Sequence, residues 1–153
     1  MRIEVPALEL KISDLQFAQY AEDFFNAGKA CPVNKIFNPV PYYLYCHCIE
    51  LALKAICLRF GDTTKIVKNE IRHDLEDAVA HAEQKLRVTL LSESERMEIK
   101  KANDLYKQKG FEYFSGRAGK SLLKGRTDFP SLPALILISS KLLSELRHQR
   151  ILN

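Results

Sequence analysis

Apolar residues recur along most of the chain at intervals of three and four, which is the spacing of one face of an α-helix. The first such stretch covers residues 17–28, with Ser13 or Asp14 placed to cap its start. The second covers about residues 41–60 and stops at Gly61. Apolar side chains cover most of the circumference of this second helix, which predicts that it is central and packed on several sides.

Three more helices follow from the same pattern. One starts near His73 or Asp74, with an apolar stripe behind it. The next opens with a capping box at residues 92–95 and ends at Gly110. The last is capped by Ser131 and runs close to the end of the sequence. The pattern therefore predicts an all-α protein, a bundle of about five antiparallel helices joined by short connections.

The size and composition fit a single domain. The chain has 153 residues, of which 46% are hydrophobic and 27% charged, as in ordinary globular proteins. Its longest apolar run, Ala134 to Ile138, is far too short to cross a bilayer. The N-terminal sequence carries acids early and lacks the apolar core of a signal peptide. We therefore expect a cytoplasmic protein with no membrane association.

The net charge of +4 is mild, but its distribution is uneven. One segment, residues 107–126, contains a single acid, Glu112, and six basic residues: Lys107, Lys109, Arg117, Lys120, Lys124 and Arg126. Aromatic residues, Phe111 among them, lie between the basic ones. Bases can stack on aromatic rings while cations meet phosphates, so this segment is a candidate surface for RNA or a nucleotide. The alternative is a solvated basic loop whose aromatic side chains fill the core.

Within that segment the sequence SGRAGKS ends like a phosphate-binding P-loop. The full motif requires a glycine five residues before Gly119, and Phe114 stands there instead. The residues upstream are mostly polar and do not resemble a buried strand. A glycine-rich basic loop is the preferred interpretation.

Four cysteines raise the question of a metal site. Cys46 and Cys48 point to different faces of a helix, and Cys46 and Cys57 lie about 16 Å apart along one. Neither pair of cysteines could therefore bind the same metal ion. We therefore predict buried thiols in a reducing compartment, with no metal and no cofactor.

Polar side chains interrupt the central helix on one side. His47, Glu50 and Lys54 fall within one narrow sector, and the Glu50–Lys54 spacing suits an ion pair along a helix. Such a group is either a buried, paired network or part of a pocket. In the second case Lys54 would bind an anion and His47 would move a proton.

A second polar cluster lies at the start of the next helix. Asp74 suits the N-cap position, because its carboxylate can accept free backbone N–H groups. His73 is placed either to cap that helix or to turn inward toward Glu50. Arg72 is expected on the surface.

Taken together, these clusters resemble the HEPN superfamily (higher eukaryotes and prokaryotes nucleotide-binding). The similarity is to the branch with a His-x-x-Glu-x-x-x-Lys-Ala helix followed by a His-Asp-Leu helix start. It covers roughly residues 42–146, and the matching residues are His47, Glu50, Lys54, Ala55, His73, Asp74 and Leu75.

The resemblance implies a bundle that commonly forms homodimers and associates with RNA or nucleotides. Members often act beside a nucleotidyltransferase or in defence and toxin–antitoxin systems. Many are metal-independent ribonucleases with an arginine and a histidine separated by four to six intervening residues. This sequence departs from that motif, since Arg72 lies next to His73 and too far from His81. The resemblance therefore carries no catalytic residue onto this chain.

Three hypotheses follow. The first is a non-catalytic HEPN-like domain that binds RNA, a nucleotide or a protein partner, with the basic segment supplying phosphate contacts. The second is a divergent ribonuclease that uses His47 or His73 with Lys54 or Arg72. The third is a structural adaptor or antitoxin-like protein without affinity for nucleic acid, marked by a large apolar surface patch.

Overall fold

The computed structural model describes residues 13–32, 37–111 and 127–153. Regular secondary structure in these ranges is entirely helical, which confirms the predicted all-α bundle. The helices are α1 (Asp14–Ala30), α2 (Val40–Arg59), the short α3 (Thr64–Ile66), α4 (Leu75–Leu86), α5 (Glu93–Tyr106) and α6 (Leu132–His148), and α3 continues into a π-helical turn (Val67–Ile71).

Side-chain caps fix where the long helices begin. Ser13 and Ser92 form capping boxes at α1 and α5, and the Ser131 hydroxyl accepts a hydrogen bond from a backbone N–H in the first turn of α6. Asp74 caps α4, where its carboxylate accepts from the backbone N–H of Asp77 at 3.1 Å. These bonds satisfy N–H groups that the helix leaves without partners, so the predicted starts are confirmed.

Helix α2 forms the centre of the bundle and contacts α1, α4, α5 and α6. Every residue from Cys48 to Cys57 is buried, as the continuous apolar pattern predicts. α1 approaches closely because Gly28 has no side chain; a Cβ there would lie 2.8 Å from the ring of Tyr45. Any polar group in the middle of α2 is therefore enclosed by other helices.

The five predicted helices are all present, and the connection between α2 and α4 contains a further short helix that the sequence pattern did not predict. There the Thr63 side chain caps the short α3, accepting from the backbone N–H of Ile66 at 3.2 Å. Val67 and Ile71 are buried, and they anchor the π-helical turn to the core. Two buried apolar residues within residues 64–71 are too few to reveal a helical period in the sequence.

Two smaller details also differ from the prediction. Tyr20, which falls on the predicted apolar stripe of α1, is 45% exposed, whereas Ala18 is fully buried. Helix α5 ends at Tyr106, and a separate turn leads on to Gly110, where the backbone N–H of Gly110 donates to Leu105 O at 2.8 Å. This turn carries Lys107 and Lys109 to the site described next.

Candidate functional site

A buried carboxylate, that of Glu50, forms the centre of the candidate site. Glu50 is 1% exposed and Lys54 is 6% exposed, because both lie in the enclosed middle of α2. The Lys54 Nζ donates to Glu50 Oε1 at 2.5 Å, so the predicted ion pair is present. The structure thus places Lys54 in a paired, buried network.

The other carboxylate oxygen binds the last residue of α5. The Tyr106 hydroxyl donates its hydrogen to Glu50 Oε2. His47 Nδ1 lies 2.7 Å from the same hydroxyl and 3.5 Å from Glu50 Oε2. Because the hydroxyl hydrogen is already used, His47 Nδ1 must be the donor to Tyr106, which leaves Nε2 of this ring outside the network.

His73 reaches the same carboxylate from the entrance to α4. Its Nδ1 lies 3.0 Å from Glu50 Oε1, although 64% of its side chain is exposed. Of the two placements that the sequence left open for His73, the structure shows the inward turn toward Glu50, and Asp74 caps the helix. The preceding residue, Arg72, has φ 53° and ψ −119°, a conformation that L-residues rarely adopt. This strained residue sets the direction in which the chain enters α4.

The start of α4 is also held by a buried amide from α5. Asn103 Oδ1 accepts from the Leu75 backbone N–H at 2.8 Å. Its Nδ2 donates to Asp74 Oδ1 at 2.9 Å and to Glu76 Oε2 at 3.0 Å. One side chain thus fixes the segment that delivers His73.

We expect Asn103→Ala to lower the free energy of unfolding by about 2 kcal/mol, because it leaves the buried Leu75 N–H without its acceptor. Urea unfolding followed by circular dichroism measures this loss. Asn69→Ala, at an exposed position, is the matched control and should change stability by less than about 0.5 kcal/mol. Equal stability of the two variants would contradict the role given to Asn103.

The network keeps Glu50 ionised. Burial alone would raise the pKa of its carboxyl, but hydrogen bonds from His47, Lys54 and Tyr106 and the charge of Lys54 outweigh burial and lower this pKa from 4.5 to about 2. Burial and the charge of Glu50 raise the pKa of the Tyr106 hydroxyl far above 10.0. At neutral pH the Tyr106 hydroxyl therefore remains a hydrogen-bond donor and Glu50 an acceptor.

A pocket of about 90 Å³ opens beside this network. We call it the histidine pocket, and it is lined by Tyr43, His47, His73, Tyr106, Lys107 and Lys109. The ring of Tyr43 stacks on that of His47 with centroids 5.6 Å apart, and Phe24 meets the same imidazole edge-on at 4.4 Å. The two aromatic rings hold His47 in one orientation.

The two lysines reach the pocket from the turn after α5. Lys107 Nζ lies 3.9 Å from Asp74 Oδ2, a loose ion pair at the rim. Lys109 has φ 58°, in the left-handed region where glycine is the usual residue after a helix. The pocket thus combines two ammonium groups and two imidazoles, with one carboxylate, that of Asp74, facing Lys107.

The structure places the predicted candidate residues of the described ranges in four different locations. His47 and His73 line the histidine pocket, whereas Glu50 and Lys54 lie in the buried network, Asp74 at the rim, and Arg72 on the surface, where its Nε donates to Asn69 O at 3.0 Å. The basic candidates Arg117, Lys120, Lys124 and Arg126, with the P-loop-like sequence, lie outside the described residues. Phe111 is 4% exposed and stacks on Tyr42, so this ring fills the core.

Sequence reasoning missed the parts that Tyr43 and Tyr106 play. Both carried a signal: Tyr43 lies four residues before His47, on the same side of α2, and Tyr106 lies on the inward stripe of α5. A tyrosine predicted to face a buried carboxylate is a natural partner for it, since a buried hydroxyl needs an acceptor.

The cysteines of α2 behave as buried thiols. Cys46, Cys48 and Cys57 are fully buried and unpaired. Burial raises the pKa of all three, to about 12 for Cys48 and Cys57. These thiols therefore stay protonated at neutral pH.

Among the described residues, no helix combines the length and apolar character needed to cross a membrane. Comparisons of the sequence with family models and with curated proteins, and a search of the solved structures, give no match.

Proposed function

We propose that this protein is a non-catalytic, HEPN-like domain that binds RNA through phosphate groups at the histidine pocket. The observation that carries the proposal is the set of groups around one small cavity: two lysines, two imidazoles and a partly exposed tyrosine ring. Ammonium groups suit phosphate oxygens, and an aromatic ring suits a base. The carboxylate of Glu50, which contacts the imidazoles, is neutralised by Lys54, so it repels a bound anion only weakly.

The charge pattern of the sequence supports the same proposal. Lys107 and Lys109, which line the pocket, are also the first two cations of the basic segment 107–126. The sequence after Lys109 carries four more cations within this segment, and each cation that contacts a phosphate strengthens RNA binding at low salt. On the resemblance to HEPN proteins, we also propose that this protein forms a homodimer and binds a protein partner such as a nucleotidyltransferase.

We expect labelled single-stranded RNA to bind with an affinity that falls steeply as salt rises, measured by fluorescence anisotropy at several salt concentrations. Lys107→Gln/Lys109→Gln should flatten the slope of log affinity against log salt by about 1.4, since each lost phosphate contact removes roughly 0.7. Lys65→Gln/Lys68→Gln removes the same charge at exposed positions of α3 and the π-helical turn and serves as the control. If both double variants lost the same slope, phosphate contact at the pocket would be contradicted.

One observation favours a divergent ribonuclease as the second candidate. His47 and His73 line one pocket, and Nδ1 of each ring is held by the Glu50 network. One Nε2 would take the proton of a 2′-hydroxyl as its oxygen attacks phosphorus. The other would protonate the leaving 5′-oxygen, so that a cyclic phosphate and a 5′-hydroxyl form. A gel of the RNA after each titration distinguishes the candidates: intact RNA supports the binding module, and cleavage lost in His47→Gln or His73→Gln supports the ribonuclease.

A further inference from the structure

We propose that the histidine pocket recognises a terminal phosphate of RNA, a phosphomonoester, in preference to the phosphodiesters within the strand. This inference rests on the RNA binding proposed above and specifies the chemical group that the pocket takes. It draws on the size of the pocket, on its donors and on where those donors lie.

The volume of the pocket limits what can enter it. About 90 Å³ is far below the 300 Å³ or more of pockets that enclose a whole small molecule. A phosphoryl group fits this space, whereas a nucleoside does not. The sugar and base of the ligand must therefore stay outside the pocket.

A cavity of this size favours the end of a strand over its middle. An internal phosphodiester has a sugar on each side, so the chain must both enter and leave the cavity to place its phosphate there. A terminal phosphate has a single sugar and enters end-first. Because the buried side chain of Tyr106 belongs to the lining, part of the wall of this pocket is formed by the core of the bundle.

The donors also match a monoester better than a diester. A monoester carries about −1.5 to −2 charges at pH 7 and three oxygens that accept hydrogen bonds, against a single charge and two such oxygens for a diester. The pocket offers the ammonium groups of Lys107 and Lys109, two cations for a group that carries close to two negative charges. The charged groups facing these donors are Asp74 at the rim and the paired Glu50 and Lys54 in the network.

The backbone of Lys109 supplies a sharp test. Its φ of 58° places a lysine where glycine would relieve strain, and Arg87 has a similar φ of 56° at the end of α4 without lining this pocket. Lys109→Gly and Arg87→Gly should therefore both raise the melting temperature. Only Lys109→Gly should weaken binding of a terminal phosphate.

The experiment compares three internally labelled RNAs of one sequence, with a 5′-phosphate, with a 3′-phosphate, or with hydroxyls at both ends. We expect one phosphorylated RNA to bind at least about tenfold more tightly than the hydroxyl-ended RNA, as one added charge-assisted hydrogen bond allows. That preference should fall to about twofold or less in Lys109→Gly and remain unchanged in Arg87→Gly. It should also weaken in Lys109→Gln, a variant that keeps the strained backbone.

The outcomes separate this inference from the proposed function. Equal affinity for all three RNAs overturns the terminal-phosphate inference and leaves RNA binding in place. A preference that persists in both Lys109 variants and in Lys107→Gln overturns the histidine pocket as its source. A protein that binds none of the three RNAs overturns the proposed function, and the inference with it.

Discussion

Glu50→Gln is expected to lower the free energy of unfolding by about 3–5 kcal/mol, the cost of breaking a buried ion pair by removing one partner. The change keeps the size of the side chain but removes its charge. The ammonium of Lys54, 6% exposed and 2.5 Å from Glu50 Oε1, would then be buried without its counter-ion. The hydroxyl of Tyr106 and Nδ1 of His73 would also face an amide where a carboxylate now accepts their hydrogens. Urea unfolding at neutral pH, followed by circular dichroism, measures the loss.

A double-mutant cycle assigns that loss to the ion pair. Lys54→Met leaves Glu50 buried and should also destabilise strongly, whereas Glu50→Gln/Lys54→Met removes both charges and should recover much of the lost stability. Glu70→Gln, an exposed carboxylate on the π-helical turn, is the matched control and should cost less than about 0.5 kcal/mol. A Glu50→Gln protein as stable as Glu70→Gln would contradict the buried-pair account.

The same network connects stability with the histidine pocket. Glu50 holds His47 through Tyr106 and holds His73 directly, so one carboxylate joins α2, the entrance to α4 and the end of α5. The two imidazoles are thus positioned by a group that no ligand in the pocket needs to touch. Functional variants are therefore best placed at Lys107 and Lys109, on the outer turn, where a loss of binding is separable from a loss of fold.

Much of the fold could be predicted because it is encoded locally. Ser13, Asp74, Ser92 and Ser131 each cap a helix a few residues away, and a short polar side chain before an apolar stripe shows this in the sequence itself. The Glu50–Lys54 pair was equally local, since both residues lie on one helix. The burial of α2 followed from apolar residues around its whole circumference.

The rest of the site depends on contacts between distant parts of the chain. Tyr106 is 56 residues from Glu50, and Asn103 is 28 residues from Leu75, so no spacing rule connects them. The strained Arg72 follows a π-helical turn that no helical period in the sequence reveals. Lys107 and Lys109 were visible as cations, but their position on the pocket depends on α5 ending at Tyr106 rather than at Gly110.

Acid should remove the stabilisation that Glu50 provides, and the direction follows from its lowered pKa. A carboxyl whose pKa is 4.5 when unfolded and about 2 when folded stabilises the fold at pH values above 4.5. That contribution is lost as pH falls from 4.5 through about 2, and it amounts to about 3 kcal/mol in all at about 1.4 kcal/mol per pH unit.

Glu83 and Glu95 also have lowered pKa values, because ion pairs and hydrogen bonds outweigh their burial, and they add a loss of the same sign. Both remain in Glu50→Gln/Lys54→Met, so the difference in unfolding free energy between wild type and this double variant isolates the Glu50 pair. Between pH 6 and pH 2 we expect the wild type to lose about 3 kcal/mol of unfolding free energy relative to the double variant, with more than half of this loss complete by pH 3. Urea unfolding at pH 6, 4, 3 and 2 measures this shift. Parallel pH profiles for the two proteins would show that Glu50 is not the ionised centre of the network.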